Sequence, residues 1–190
     1  MAAAKDLHEW IRRQKGLKMF NLKTPLRLVV LALALTTTML AAVTHTGTTI
    51  AKITVVTEIN FWPITSTSFT DVPGAAATIT VPAGVKQLVV ASFTSESSCI
   101  GSSNAQCHLR IVAVNSSNVL VELSPAAGLD FAYDSSATQQ DFFEGHAANR
   151  SIVLGPGTYK IKIQGAAGVS GVTFRFDDWH LQVIQYNGGV

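Results

Sequence analysis

The feature that most constrains this chain is a series of short alternating segments, broken by Gly and Pro turns, from Ala76 to Tyr186. Successive side chains of a strand point to opposite faces, so a period of two marks strands with one buried face. Ala76 to Val81 alternates Thr with apolar residues and stops at the turn Pro82-Ala83-Gly84. Val85 to Phe93 (VKQLVVASF) reads as a buried strand leading into a loop between Cys99 and Cys107. His108 to Val114 sets Leu109, Ile111 and Ala113 against His108, Arg110 and Val112. After the turn Asn115 to Asn118, Val119 to Leu123 returns as the second strand of a hairpin.

The pattern is plainest towards the C-terminus. Ser151 to Leu154, the turn Gly155-Pro156-Gly157 and Thr158 to Gln164 (TYKIKIQ) predict a hairpin with Tyr159, Ile161 and Ile163 on one side and Lys160 and Lys162 on the other. Val172 to Phe176 and Trp179 to Tyr186 (WHLQVIQY) read as two closing strands joined by Asp177-Asp178. The last strand places Trp179, Leu181, Val183 and Gln185 on one face and His180, Gln182, Ile184 and Tyr186 on the other. Residues 124–149 read as irregular, because Pro125, Gly128 and Gly145 interrupt them, while Phe131, Tyr133, Phe142 and Phe143 give them aromatic weight. Such a loop either packs over the core or carries function.

About eight to ten short strands with no helical pattern predict an all-β fold, an antiparallel β-sandwich. The long excursion before the Gly-Pro-Gly hairpin favours a jelly roll over a simple meander. No segment recurs at a period of 20–50 residues, which excludes a solenoid or propeller.

The N-terminal part is of another kind. Leu28 to Val43 (LVVLALALTTTMLAAV) is apolar apart from three threonines, and no charged residue occurs between Arg27 and Lys52. That window is long enough to span a bilayer as a hydrophobic helix, while its strongly apolar part has the length of a secretory core. Basic residues lie upstream, so the N-terminus is expected to stay cytoplasmic while the rest crosses. Residues 1–43 are thus a targeting segment, either a cleaved signal peptide or a retained signal anchor through residues 28–43. Met19, followed by FNLKTPLR, would start a signal peptide of ordinary proportions. Residues 5–16 place Leu7, Trp10 and Ile11 at helical spacing, as in an interfacial helix or an ordinary basic leader. Residues 44–65, Thr-rich and ending near Pro63, read as a linker or a first strand, and residues 66–190 as the sandwich domain.

Export accounts for the charge. The net +2 conceals seven basic residues against Asp6 and Glu9 in residues 1–43. The seven basic and ten acidic groups that remain leave the rest at −3, without a basic stripe for nucleic acid. An oxidising compartment also makes a Cys99–Cys107 disulfide the natural state of two cysteines enclosing a Gly-, Ser- and Asn-rich loop. Two Cys with only His108 nearby do not make a zinc site, and the spacing is not that of a redox C-x-x-C pair.

The order ITVPAG, LVVASFTSESSC, CHLRI, LGPGTYKIKIQ, FRFDDWHLQVI resembles a group of uncharacterised bacterial exported β-sandwich proteins. More distantly it is similar to the jelly-roll heads of the C1q and TNF kind, over about Ser66 to Tyr186. The resemblance implies a sandwich of the type that forms trimers. It carries no catalytic residue and no cofactor.

Chemistry-bearing motifs are sparse. His108, His146 and His180 lack metal-ligand spacing, and no G-x-S-x-G elbow occurs, so an enzyme is not expected. Asp177 and Asp178 are calcium candidates, or simply turn residues. Glu96, beside three serines, is a candidate ligand group or a solvated loop carboxylate. Trp62 and Trp179, with Tyr133 or Tyr186, are candidates for stacking on sugar rings, core packing being the competing role of Trp179; Trp62, Tyr133 and Glu96 are the candidate ligand-binding residues. The reading is an exported, non-enzymatic module with a binding or structural role at the cell surface or outside the cell. The alternatives are a carbohydrate-binding domain and a self-assembling trimeric head or filament subunit. A glycan or protein partner, or further copies of the chain, follow from these readings.

Overall fold

The computed structural model describes residues 42–101, 104–128, 131–136 and 142–190. The N-terminal hydrophobic helix, the alternative start at Met19 and the segment 5–16 lie outside the described residues. Among the described residues no helix is long and apolar enough to cross a membrane. Residues 43–190 form one compact unit.

Ten strands make this unit: β1 (Ile50–Glu58), β2 (Trp62–Ile64), β3 (Thr70–Val81), β4 (Gln87–Ile100), β5 (Gln106–Asn115), β6 (Leu120–Glu122), β7 (Ala132–Ser135), β8 (Glu144–Leu154), β9 (Gly157–Ala167) and β10 (Thr173–Asn187). They pair antiparallel in two five-stranded sheets. Sheet A has the order β1-β10-β4-β8 with β2 also on β10, and sheet B the order β3-β9-β5-β6 with β7 also on β5. From β3 to β5, and again from β8 to β10, the chain changes sheet at every connection, which is the jelly-roll pattern. The expected β5–β6 hairpin forms, with Val112 opposite Glu122. The hairpin expected around Gly155-Pro156-Gly157 does not: its two strands form as β8 and β9, but β8 pairs with β4 in sheet A and β9 with β3 and β5 in sheet B, so the turn carries the chain from one sheet to the other.

Several segments differ from the sequence expectation. Residues 50–64, legible as linker or strand, are β1 and β2 of sheet A. Residues 124–149 hold β7 and the first part of β8. β8 begins with EGHAANR, poor in strand formers, and is held by an unbroken ladder to β4 from Ser97↔Glu144 to Gln87↔Leu154. Asp177 and Asp178 do not join two strands; they lie inside β10, where the register with β4 steps from Asp177↔Glu96 to His180↔Thr94. Two residues of β10 there oppose one of β4, a β-bulge, and Asp178 adopts the left-handed conformation at φ 42°. The extra residue resets the alternation, so Phe174 and Phe176 before it and Trp179, Leu181 and Val183 after it all face the core.

That core is aromatic at one end. Phe93 packs on Phe176 and Trp179 at 6.0 and 6.1 Å, and Phe174 on Phe176 at 4.1 Å. Gly165 of β9 makes room for it, since a Cβ there would lie 2.8 Å from Ile64 Cδ1. The Cys99–Cys107 disulfide forms, with Cα atoms 5.8 Å apart. It ties β4 of sheet A to β5 of sheet B, so it clamps the sandwich as well as closing a loop.

Candidate functional site

The outward faces of the two sheets differ sharply. On sheet B, Lys162 Nζ donates to Asp71 Oδ2 and Gln164 Nε2 to Asp71 Oδ1, both at 2.7 Å. Arg110 Nε donates to Gln164 Oε1 at 2.8 Å, its guanidinium lies 3.8 Å from Glu122, and it covers the Phe69 ring at 4.2 Å. Partial burial works to raise the Asp71 pKa, but the bonds from Lys162 and Gln164 and the lysine charges outweigh it and hold the carboxyl below its usual value. This face is a solvated polar ladder.

Sheet A presents four rows of four on its outer side. Register places Ile50, Tyr186, Leu88 and Val153 in one row and Ile53, Ile184, Val90 and Ser151 in the next. Val55, Gln182, Ser92 and Asn149 form the third, and Thr57, His180, Thr94 and Ala147 the fourth. None of these residues is Lys, Arg, Asp or Glu. Ile50, Ile53 and Val55 are 54%, 50% and 49% exposed. A strap formed by the first residues of the unit crosses one corner of this face. His45 Nδ1 meets Ser151 Oγ at 2.8 Å, and Thr46 exchanges backbone bonds with Val190. Gly47 lies so close that an added Cβ would sit 2.5 Å from Tyr186 Cβ, and Leu88 is buried at this corner. Apart from Ser151 under His45, the second and third rows carry no strap contact, and Ile53 and Val55 are their exposed edge.

At the end of sheet A remote from the strap lie two grooves. One, of ≈ 430 Å³, is lined by Thr94, Glu96, Gly145, His146 and Asp178. It brings Glu96 and Asp178 together, with Asp177 opposite Glu96 in the ladder. Asp178 N donates to Asp177 Oδ1 at 3.0 Å, so the pair is in part a local turn device. Among the described residues no three His, Cys, Asp or Glu side chains converge as metal ligands.

Below this groove a polar cluster joins three strands. Ser97 Oγ of β4 donates to Asp134 Oδ2 of β7 at 2.7 Å and lies 3.0 Å from His146 Nδ1 of β8. A nucleophilic relay needs the imidazole between serine and acid, one nitrogen to each. Here Ser97 and Asp134 both face Nδ1, the latter at 3.8 Å, and Ser97 is fully buried. The serine proton is already directed to the carboxylate, so the cluster binds β7 across the sheets instead of activating a nucleophile.

Tyr133 is turned into the core beside it, only 4% exposed. Its hydroxyl donates to the His146 carbonyl at 2.9 Å and so accepts from Ser95 Oγ at 3.0 Å. Burial pushes its pKa well above the usual tyrosine value. A ring so placed offers no face to a ligand. Trp62 is the reverse case, 44% exposed beside Phe61 at 46%. These two, with Glu58, Asn60, Gly74 and Trp179, line the second groove, of ≈ 260 Å³. The sequence reading picked out Trp62 and missed Phe61 and Glu58; the clue was the dense run Glu58-Ile-Asn-Phe-Trp62 at the end of an alternating strand.

The architecture and these surfaces define a class: a disulfide-clamped antiparallel sandwich of jelly-roll type with one ionic sheet face and, on the other, four rows without Lys, Arg, Asp or Glu bounded by Glu96, Arg175 and Asp177. No family model matches the chain, and no curated protein sequence matches it. Among solved structures it is similar to the globular domain of zebrafish complement 1qA protein, with a TM-score of 0.35 and 14% identity over 70% of this chain and 94% of that one. It is also similar to Eiger TNF from S. frugiperda (TM-score 0.40, 9% identity, 70% and 92% covered). A third is the CBM22-1 xylan-binding domain from Paenibacillus barcinonensis Xyn10C (TM-score 0.33, 8% identity, 75% and 88% covered). At these identities and scores no ligand, partner or activity transfers.

Proposed function

We propose that the chain is an exported, non-enzymatic assembly module that joins copies of itself through the outward face of sheet A. Residues 1–43 act as its targeting segment, and the domain works at the cell surface or outside the cell. The observation that carries this reading is the block of four uncharged rows on the outer face of sheet A, set against the ionic ladder on sheet B. Water covers a polar ladder at no cost, whereas exposed Ile53 and Val55 beside Ile184 and Val90 gain by burial. Full burial of an aliphatic side chain contributes about 1.5–3 kcal/mol, and Ile53 and Val55, already about half buried, gain about half of that each. The four rows carry no Lys, Arg, Asp or Glu with which to select a charged partner, and one such patch meeting its own copy gives a symmetric homo-oligomer. The buried disulfide between the sheets agrees with an oxidising compartment.

The test is the solution mass of the full chain by light scattering. The unaltered chain is expected as an oligomer and the Ile53→Lys/Val55→Lys variant as a folded monomer with an unchanged circular-dichroism spectrum, because both side chains are about half exposed. A monomeric unaltered chain, or an oligomer untouched by the two lysines, contradicts the proposal.

A further inference from the structure

The groove beside Trp62 lies off the sheet A face, where the ends of β1 and β2 meet β3. We propose that it binds one neutral pyranose ring of an oligosaccharide, stacked on the Trp62 indole. Three observations converge. First, Trp62 keeps 44% of its surface exposed, although the next residue on its side of β2, Ile64, is buried at 4%. Exposed tryptophan joins a flat apolar face to an N–H donor, which is the chemistry that meets the C–H face of a sugar and its rim of hydroxyls.

Second, the groove has a prepared polar wall. Glu58 Oε1 accepts from Ile59 N at 2.9 Å, from Asn60 N at 3.2 Å and from Asn60 Nδ2 at 2.5 Å. All three bonds fall on one carboxylate oxygen, so the side chain is held in place with Oε2 left to accept from a hydroxyl. The Asn60 amide keeps a second N–H and its oxygen, and so supplies both a donor and an acceptor. Fixed hydrogen-bonding groups beside an apolar platform give orientation as well as attraction.

Third, size and charge narrow the occupant. The groove is ≈ 260 Å³, below the roughly 300–1,000 Å³ of sites for drug-sized ligands, so it admits a ring and not a folded element. Its floor is closed by Gly74 against the edge of the buried Trp179 indole, which a Cβ on Gly74 would meet at 3.5 Å. None of the described lining residues is Lys or Arg and one is Glu, which disfavours uronic acids, sialic acids and phosphorylated ligands.

The experiment titrates the full chain with cellohexaose, xylohexaose and chitohexaose, followed by tryptophan fluorescence and calorimetry. Saturable binding of at least one is expected, weakened at least tenfold in Trp62→Ala and only partly in Trp62→Phe. Glu58→Ala is expected to weaken binding as well, and it decides the matter if Trp62→Ala fails to fold. Ile59→Ala, a surface change outside the groove lining, is expected to bind as the unaltered chain does. Absence of saturable binding to all three sugars, or binding unchanged in both Trp62→Ala and Glu58→Ala, overturns the proposal. Self-association is read separately by mass, so failure here leaves the assembly reading standing.

Discussion

Reducing the Cys99–Cys107 bond isolates one contribution to stability without changing the sequence. The cysteines are eight residues apart, and the chain-entropy relation for so short a loop gives about 2.5 kcal/mol of stabilisation through the unfolded state. A domain of this size unfolds in urea with a slope of about 2 kcal/mol/M. The reduced protein should therefore unfold at a midpoint lower by about 1.2 M. Both cysteines are buried, so reduction is carried out in denaturant and the chain refolded with reductant present. Unfolding is followed by circular dichroism and by tryptophan fluorescence, whose coincidence checks two-state behaviour. Because the bond links β4 to β5 across the sheets, both probes should shift together. A midpoint shift below about 0.3 M would refute the loop-entropy reasoning and mean that the packed core alone holds the two sheets in register.

Two further substitutions probe the sandwich. Tyr133→Phe leaves Ser95 Oγ and the His146 carbonyl without their shared partner and should cost about 1–2 kcal/mol by urea titration. The raised Tyr133 pKa stabilises the fold fully below the unfolded value near 10 and progressively less above it, so the same variant should lose less stability between pH 9 and 11 than the unaltered chain. At the β10 bulge, Asp178→Val forces a branched side chain into φ 42° and should cost about 1–2 kcal/mol, whereas Asp178→Gly should change the melting temperature little.

Strand existence was legible wherever a segment carried its own alternation. TYKIKIQ and WHLQVIQY show both faces without help from neighbours, and the structure buries Ile161, Ile163, Trp179, Leu181 and Val183 as the pattern requires. EGHAANR was illegible because β4, not its own composition, makes it a strand. The Asp177-Asp178 bulge left a trace, a break in the alternation F-R-F-D-D-W, which reads equally well as a turn until the β4 register is known. Tyr133 was misplaced for the same reason: the four-residue β7 is too short to show which face is inward. The uncharged face of sheet A was half visible, since His180, Gln182, Ile184 and Tyr186 were already assigned to one side of the last strand. Its extent could not be seen, because it is assembled from four strands whose neighbours lie as far apart in the chain as Ile50 and Tyr186.

Whether copies meet on sheet A can be read from the concentration dependence of thiol labelling. Ser92→Cys places a thiol in the third row of that face, and Thr80→Cys places one on the exposed outer side of sheet B. With maleimide as probe, Ser92→Cys should label fast in dilute solution and become protected as the protein is concentrated, while Thr80→Cys labels at one rate throughout. A Ser92→Cys rate that does not fall with concentration would contradict the account.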